Sequence, residues 1–195
     1  MREGEPEITG PLRIWYPFGG ADALVRLRVI DIEGEQTFTN DADDEVLYDL
    51  AEDEGIYIPA GASLTLNGHG TYVSSLTPAS PSGRRVERLN LADQPRQKTA
   101  DRWYAELVQA EVTQFVGSIP PGRAPDHFHL YEEVICILAG EGVMHAGASS
   151  TPIAAGSCIL LPTRQRHCIE NTGSGELRLL GVFYPAGSPA VRYTA

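Results

Sequence analysis

Apolar and polar residues alternate along several segments of the chain, and this alternation predicts β-strands. Clear examples are the segments 23–32, 106–116 and 176–183. No long segment repeats its apolar residues with the 3.6-residue period of a helix, and glycine and proline interrupt the chain at short intervals. The pattern therefore predicts an all-β architecture built from short strands.

The two halves of the chain resemble one another. The Trp-Tyr pair at 15–16 recurs at 103–104, and Glu-Val-Leu at 45–47 recurs as Glu-Val-Ile at 133–135, both at a spacing of 88 residues. Segment 61–66 then matches segment 156–161 at a spacing of 95, which implies seven additional residues in the second half. These shared spacings indicate an internal duplication, with one module at residues 1–90 and the other at residues 91–195. A turn-rich linker lies at residues 78–85.

Charge and composition narrow the classes of partner. The chain has 195 residues, a net charge of −11 and three cysteines, too few and odd in number for a disulfide framework. The acidic balance disfavours nucleic acids and anionic membranes as partners. No apolar run approaches the length of a transmembrane helix, and the start lacks the apolar core of a signal peptide, so we expect a cytoplasmic protein.

Four residues able to bind a metal fall at spacings that strand geometry can use. His127 and His129 share one face of a strand because side chains alternate, and Glu133 keeps the same parity. His167 comes from a separate apolar segment that enters a turn. A lone His-x-His pair is more often a surface feature, but three of the five histidines and a carboxylate share this pattern. The spacing favours a metal site.

These residues give the chain a resemblance to the cupin superfamily, whose members carry two short motifs. The first motif fits with four rather than five residues between its glycine and its first histidine, and the second fits its spacing fully except that Arg164 replaces a glycine. The matching positions are Gly122, His127, His129, Glu133 and Gly140 in the first motif, and Gly156, Pro162, His167 and Asn171 in the second. The resemblance implies a double-stranded β-helix, or jelly-roll barrel, in each of two tandem modules.

The first module lacks imidazoles at the corresponding positions. Thr39, Asp41 and Glu45 match His127, His129 and Glu133, and Tyr72 less securely matches His167. A transition-metal site without a nitrogen ligand would be weak. We therefore expect residues 1–90 to form a degenerate, metal-free module and residues 91–195 to bind the metal.

Three nitrogens and a carboxylate suit one divalent transition metal such as Mn, Fe, Ni or Zn. Four protein ligands would close a tetrahedral Zn shell but leave two positions open on an octahedral ion. The resemblance implies a metal-dependent enzyme of the dioxygenase, decarboxylase or isomerase type acting on a small oxygenated molecule. The alternative is a non-catalytic cupin that binds a small molecule or uses the metal for stability.

Further residues are candidates for contact with the small-molecule ligand, which is expected to be a carboxylate. Arg123 offers a planar fork that suits carboxylates, and Tyr131 lies within the first motif. Gln114 and Phe115 precede the motif on a predicted strand, and His145 follows a glycine turn and could serve as a general base. Exposed strand edges lead us to expect a homodimer.

Overall fold

The computed structural model describes residues 1–18, 23–80 and 83–194, so Pro81 and Ser82 of the predicted linker lie outside the described residues. The described chain is built from antiparallel strands and one 3₁₀ turn at Leu91–Asp93, as the alternating pattern predicts. No helix in these ranges has the length and apolarity needed to cross a membrane. The strands are β1 (Glu7–Thr9), β2 (Leu12–Trp15), β3 (Arg26–Thr39), β4 (Asp43–Asp49), β5 (Glu54–Ile58), β6 (Ser63–Pro78), β7 (Glu87–Asn90), β8 (Gln97–Thr99), β9 (Arg102–Gln109), β10 (Thr113–Ile119), β11 (Gly122–Arg123), β12 (Glu132–Ala139), β13 (Glu141–Ala146), β14 (Ser149–Ala154), β15 (Cys158–Leu161), β16 (His167–Asn171) and β17 (Leu177–Tyr184).

The chain divides into two compact units. The first comprises residues 1–94 with 107–111, and the second comprises residues 95–106 with 112–195. The module boundary at 90 and the metal-free character of the first module stay predictions. The first unit contains one sheet in the order β1-β2-β3-β6-β4-β5-β7, whose longest ladder joins β3 to β6. Its apolar face encloses a core that includes Ile30, Leu47 and Ile56.

The second unit consists of two sheets that share one core. The larger sheet has the order β15-β12-β17-β10-β9-β8, and the smaller has the order β11-β16-β13-β14. Ile135 and Phe183 from the larger sheet and Met144 and Ile169 from the smaller belong to the same buried cluster. The two sheets therefore face each other across a packed interior, which is the arrangement of a jelly-roll barrel.

The two units repeat one pattern of strand pairing. In the second unit, β12 lies between β15 and β17, and Glu133 stands opposite Leu161. In the first unit, β4 lies between β5 and the end of β6, and Glu45 stands opposite Ile58. Glu45 therefore occupies the place of Glu133, as the 88-residue spacing predicts, and β5 is the counterpart of β15.

The match between segments 61–66 and 156–161 is wrong. Residues 158–161 form β15, but segment 61–66 lies mainly in β6 and pairs with β3 instead of β4. The second unit carries an additional hairpin, β13 with β14, ahead of β15. The insertion is therefore a whole hairpin, and the spacing of 95 residues misaligns the segments that follow it.

This correction changes the counterpart of His167. His127 and His167 face each other in an isolated antiparallel bridge. Thr39, at the place of His127, pairs with Ser63, and their hydroxyl oxygens are hydrogen bonded at 2.8 Å. Ser63, and not Tyr72, is therefore the residue that corresponds to His167. Two hydroxyls in the first unit replace two imidazoles in the second.

Glu45 takes part in a buried ion pair within the first unit. Its side chain is 3% exposed, and Oε1 accepts hydrogen bonds from Arg28 at 2.6 Å and from Ser74 at 2.5 Å. A buried carboxylate needs such partners because leaving water costs a charged group several kcal/mol. Arg28 therefore compensates the buried negative charge of Glu45.

Replacing Arg28 by alanine should destabilise the first unit. The variant leaves Glu45 buried with one hydroxyl donor, and breaking a buried pair in this way costs about 3–5 kcal/mol. Chemical denaturation measures the change. The matched control is Arg13→Ala, because Arg13 pairs with Glu33 on the solvent-exposed surface, and this change should hardly move the midpoint. Equal effects of the two substitutions would contradict the structural role of the Arg28–Glu45 pair.

Candidate metal centre

The first-motif histidines and His167 are brought together by backbone hydrogen bonds. The His127 amide donates to the His167 carbonyl at 3.0 Å, and the His167 amide donates to the His127 carbonyl at 2.8 Å. His129 lies two residues after His127, and Glu133 is the second residue of β12, which begins after a bend at residues 130–131. This two-way bridge places imidazoles from two distant segments side by side.

The four predicted ligands converge within the second unit. Ligand atoms of His127, His129 and His167 all lie within 4.8 Å of one another. Oε2 of Glu133 lies 3.7 Å from Nε2 of His129 and 3.4 Å from Nε2 of His167. His129, Glu133 and His167 are each 4% exposed, so the group is withdrawn from bulk water.

Each imidazole is held in the tautomer that a metal ligand needs. Nδ1 of His127, His129 and His167 lies 3.0, 3.0 and 2.8 Å, respectively, from a backbone carbonyl oxygen. A carbonyl only accepts hydrogen bonds, so each Nδ1 carries the hydrogen and each Nε2 keeps its lone pair. The three acceptors are the carbonyls of Pro125, Val191 and Gln165, respectively.

Burial keeps two of the imidazoles neutral. Loss of hydration lowers the pKa of His127 to about 4 and that of His129 to about 3, and the neighbouring positive charges add to this effect. Burial also disfavours protonation of His167, but the attraction of the Glu133 carboxylate, 3.4 Å from its Nε2, outweighs burial and raises the pKa of His167. A proton on His167 is thus one way to compensate the Glu133 carboxylate, and a bound cation is another.

The donor set fits a divalent transition metal. Oε2 of Glu133 is buried and has no hydrogen-bond donor, although buried polar atoms nearly always have one. It faces the Nε2 lone pairs of His129 and His167, which are also acceptors in the neutral state. Acceptors turned toward one another repel unless a cation lies between them. Three imidazole nitrogens and one carboxylate oxygen would hold such an ion.

A cavity leads to these residues. It has a volume of about 110 Å³, is partly open to solvent, and includes the three histidines and Glu133 in its lining. Its walls are mostly apolar, with contributions from Phe115, Ile135, Leu179 and Phe183. Such a cavity accommodates a small molecule and keeps most bulk water away from the ligand atoms.

Comparison with known proteins places this site in a family. A family model described as a cupin domain matches residues 115–183. The oxalate-binding protein of Thermotoga maritima is 32% identical to the chain over 116 residues, which cover 56% of this chain and 88% of that protein. The chain belongs to the cupin superfamily.

Solved cupin structures share the fold. A protein of Pseudomonas aeruginosa described as glyoxylate-induced superimposes with a TM-score of 0.75 at 13% identity, covering 91% of this chain and 82% of that one. A variant of oxalate decarboxylase from Bacillus subtilis gives 0.72 at 11% identity, covering 95% of this chain and 76% of that one. This likeness concerns the fold, and it confirms the predicted all-β cupin barrel.

The turn in the second cupin motif keeps its shape without the usual glycine. Arg164 adopts a φ of +65°, in the left-handed region that glycine normally supplies. Its amide donates to the His129 carbonyl at 2.8 Å, and the Gln165 amide closes the turn on the Pro162 carbonyl at 3.1 Å. These hydrogen bonds fix the arginine in a strained backbone conformation, so the turn still delivers His167 to the site.

Phe115 and Gln114 lie on opposite faces of β10. Phe115 lines the cavity and packs on Phe183 with ring centroids 4.9 Å apart. Gln114 is fully buried but is not part of the cavity lining, because neighbouring side chains of a strand point to opposite sides. The geometry therefore supports a place in the cavity wall for Phe115 and not for Gln114.

Tyr131 supports a metal ligand without lining the cavity. Its ring stacks on His129 with centroids 4.9 Å apart and an interplanar angle of 14°. Its hydroxyl donates to the Ser188 carbonyl at 2.8 Å, and burial raises the pKa of Tyr131. The phenol is therefore a positioning group for His129 and is not directed at a ligand.

Arg123 and His145 lie outside the cavity. Arg123 is exposed on β11 and makes a long contact of 3.4 Å with Asp126. The two ring nitrogens of His145 lie 2.8 Å from the Ser150 hydroxyl and 2.9 Å from the Glu170 carboxylate. His145 alternates with buried Met144, so it faces away from the core. Neither residue is placed to contact a ligand of the metal site.

The cavity contains two arginines that sequence reasoning missed. Arg102 comes from β9, and Arg192 comes from the C-terminal segment (residues 185–194), which follows β17. Arg102 directly precedes the repeated Trp-Tyr pair, and the corresponding residue in the first half is Ile14. This change from an apolar residue to an arginine between the two halves could have drawn attention to Arg102. Arg192 carried no such signal, because no motif includes it.

Alanine in place of His127 or His167 should abolish stoichiometric metal binding. Each substitution removes one of three convergent nitrogens from a buried site. Elemental analysis of the purified variants measures bound metal per chain. Asp41→Ala is the control because Asp41 is exposed in the first unit, and it should retain the wild-type content. Unchanged metal content in both histidine variants would refute the ligand assignment.

Glutamine in place of Glu133 should have opposite effects with and without metal. Without metal, the change removes a buried carboxylate whose Oε2 lacks a donor, so the free energy of unfolding should rise by about 1–3 kcal/mol. With Mn²⁺, the variant should gain less stability than the wild type because one anionic ligand is lost. Thermal denaturation with chelator or with added Mn²⁺ tests both effects.

The control for this comparison is Glu141→Gln, an exposed glutamate on β13. It should behave as the wild type in both conditions. Equal stabilisation of the Glu133 variant and the wild type by Mn²⁺ would show that this carboxylate is not a ligand.

Proposed function

We propose that the second unit holds one divalent transition metal through His127, His129, Glu133 and His167, and binds a small carboxylate there. The observation that carries this proposal is the buried Oε2 of Glu133, which has no donor and faces the Nε2 atoms. If these side chains only stabilised the fold, we would expect Oε2 and the Nε2 atoms to be paired with hydrogen-bond donors. Their mutual orientation is suited to a cation instead.

The residues around the ligands prepare the site for such a cation. The backbone carbonyls fix the Nε2 lone pairs, and burial lowers the pKa of His127 and His129, so no proton competes there at neutral pH. A Mn, Fe or Ni ion held by four protein ligands would supply a Lewis acid with coordination positions for oxygen atoms of a ligand. The apolar walls around Phe115 and Phe183 limit the water that surrounds a bound molecule.

Two observations favour a carboxylate as the ligand. Glu133 is the one acidic residue in the cavity lining of the described chain, and Arg102 and Arg192 add two positive charges to that lining. The interior of the cavity is therefore attractive to anions, although the whole protein is acidic. The Thermotoga relative is named for binding oxalate, a small carboxylate, which agrees with this chemistry.

Catalysis is the second candidate, and the open access from cavity to ligand atoms favours it. The chain itself offers few acid–base groups there: His145 is turned away, and the Tyr131 hydroxyl is engaged by a carbonyl. Arginine stays protonated and does not serve as a base. A reaction of the dioxygenase, decarboxylase or isomerase type would thus depend on the metal. Enzymatic activity, a homodimeric state and a cytoplasmic location stay predictions.

The test is carboxylate binding to the Mn²⁺-loaded protein. Titration calorimetry should detect binding of acetate and oxalate, and electron paramagnetic resonance should show a changed Mn²⁺ signal because the carboxylate enters the coordination shell. His127→Ala protein, which lacks the metal, is the control and should bind neither. Absence of binding by the loaded wild type would contradict the proposal. Product formation from oxalate in air would decide for the catalytic candidate.

A further inference from the structure

We propose that Arg102 and Arg192 form an anion subsite in the cavity, so that the ligand is a short dicarboxylate with one carboxylate at the metal ligands and the other on this arginine pair. The inference rests on the proposed function, which supplies the metal-bound end. It adds the chemical class of the ligand and the residues that select it.

Arg102 has an unused donor inside the protein. Its side chain is 17% exposed, and its Nε is buried without a hydrogen-bond acceptor. The nearest acid is Asp101, whose oxygen lies 3.8 Å away on a side chain that is 67% exposed. This distance is too long for a hydrogen bond. Because Arg102 also lines the cavity, its guanidinium is placed to meet an acceptor that enters there.

Arg192 reaches the same cavity from the C-terminal segment. It lines the cavity together with Pro189, and within residues 1–18, 23–80 and 83–194 it forms no ion pair with an acidic side chain. It is not fully exposed, so water compensates its charge only in part. Both arginines thus direct charge into one space without a carboxylate between them.

The two arginines line one cavity, so their like charges oppose each other there. Burial lowers the pKa of Arg102, and Arg192 lowers it further through charge repulsion. Both arginines line the same cavity as His127, so their positive charge lies near the ligand end of the cavity. Two cations near one another are unfavourable unless an anion joins them. A carboxylate binds guanidinium through two parallel hydrogen bonds, and its charge would relieve this repulsion.

The position of Arg192 is fixed by its neighbours. The carbonyl of Val191 accepts a hydrogen bond from Nδ1 of His129 at 3.0 Å. Tyr193 exchanges two backbone hydrogen bonds with Phe128, at 3.0 and 3.1 Å. Arg192 is therefore held between two anchored residues, one of which is tied to a metal ligand. This anchoring fixes the point from which the Arg192 side chain leaves the backbone toward the cavity.

The dimensions of the cavity restrict the ligand to a short chain. A volume of about 110 Å³ accommodates only a few non-hydrogen atoms beyond those of the metal-bound group. A monocarboxylate would leave the arginine pair unpaired within this space. A dicarboxylate of two to four carbons would place one carboxylate at each end, and the methylene groups of malonate or succinate would face apolar walls such as Ile119 and Leu179.

The experiment compares dicarboxylates with monocarboxylates on the Mn²⁺-loaded protein. Oxalate, malonate and succinate are titrated calorimetrically beside acetate, propionate and butyrate, using wild type, Arg102→Gln and Arg192→Gln. Each substitution should weaken the best dicarboxylate by roughly 10- to 100-fold, the usual range for a lost charge-assisted hydrogen bond. Acetate affinity should change less than about threefold, because acetate does not reach the subsite. Metal content should not change.

Two further variants separate geometry from charge and folding. Arg166→Gln removes one positive charge from an arginine that is half exposed and does not line the cavity, and should bind dicarboxylates as the wild type does. Arg192→Lys keeps the charge but loses the bidentate fork, and should fall between wild type and Arg192→Gln. Thermal melting checks that all variants are folded.

The results that would refute the arginine subsite differ from those that would refute the proposed function at the metal. Unchanged dicarboxylate affinity in both glutamine variants, or an equal loss for acetate and dicarboxylates, would refute the arginine subsite while leaving carboxylate binding at the metal intact. A wild-type protein that carries no metal, or binds no carboxylate when loaded, would refute the proposed function and the subsite with it. Preference for acetate over every dicarboxylate would also overturn the subsite.

Discussion

The candidate metal centre depends on the backbone bridge between His127 and His167. Two hydrogen bonds, each donated by one histidine amide to the other's carbonyl, hold segments that are 40 residues apart in the sequence. Without this bridge the imidazoles would belong to independent loops, and their Nε2 atoms would not converge. The first unit keeps the same bridge position with Thr39 and Ser63, whose hydroxyls hydrogen bond to each other. The bridge is thus a property of the fold, and the residues placed on it decide whether a metal can bind.

The C-terminal segment supports the candidate metal centre, although it contributes none of the four proposed ligands. It accepts the Nδ1 hydrogen of His129 through Val191 and the hydroxyl hydrogen of Tyr131 through Ser188. Gly187 permits this approach, because a Cβ there would lie 2.2 Å from the ring of Tyr131. The same segment places Arg192 in the cavity. One stretch of chain therefore sets both the orientation of a ligand histidine and the charge that an incoming molecule meets.

Strand parity and the second motif singled out four residues that the structure brings together, although the strand that parity assumes is interrupted by a bend at residues 130–131 before Glu133. Parity failed where the local chain is not a simple strand or where distant segments meet. Parity alone could not tell whether Gln114 or Phe115 points into the cavity, because the sequence does not show which face of the strand is buried. The glycine turn before His145 interrupts the alternation, so parity made no prediction for that residue. The spacing of 95 residues misplaced the counterpart of His167 because an entire hairpin was counted as a short insertion. Arg192 reaches the cavity only through tertiary structure, which no local pattern encodes.

The same buried glutamate position has two electrostatic solutions in the two units. By strand pairing, Glu45 corresponds to Glu133, and Arg28 on β3 corresponds to Phe115 on β10, since Arg28 lies opposite Ser74 as Phe115 lies opposite Gly181. In the first unit the guanidinium extends to the carboxylate and neutralises it. In the second unit the phenylalanine cannot do so, and it lines an open cavity instead. The buried carboxylate of Glu133 is compensated there either by a proton on His167 or by a bound cation. The phenylalanine in place of an arginine therefore leaves a cavity beside Glu133 and leaves this carboxylate without the guanidinium that Arg28 provides in the first unit, which is the arrangement that the proposed metal site needs.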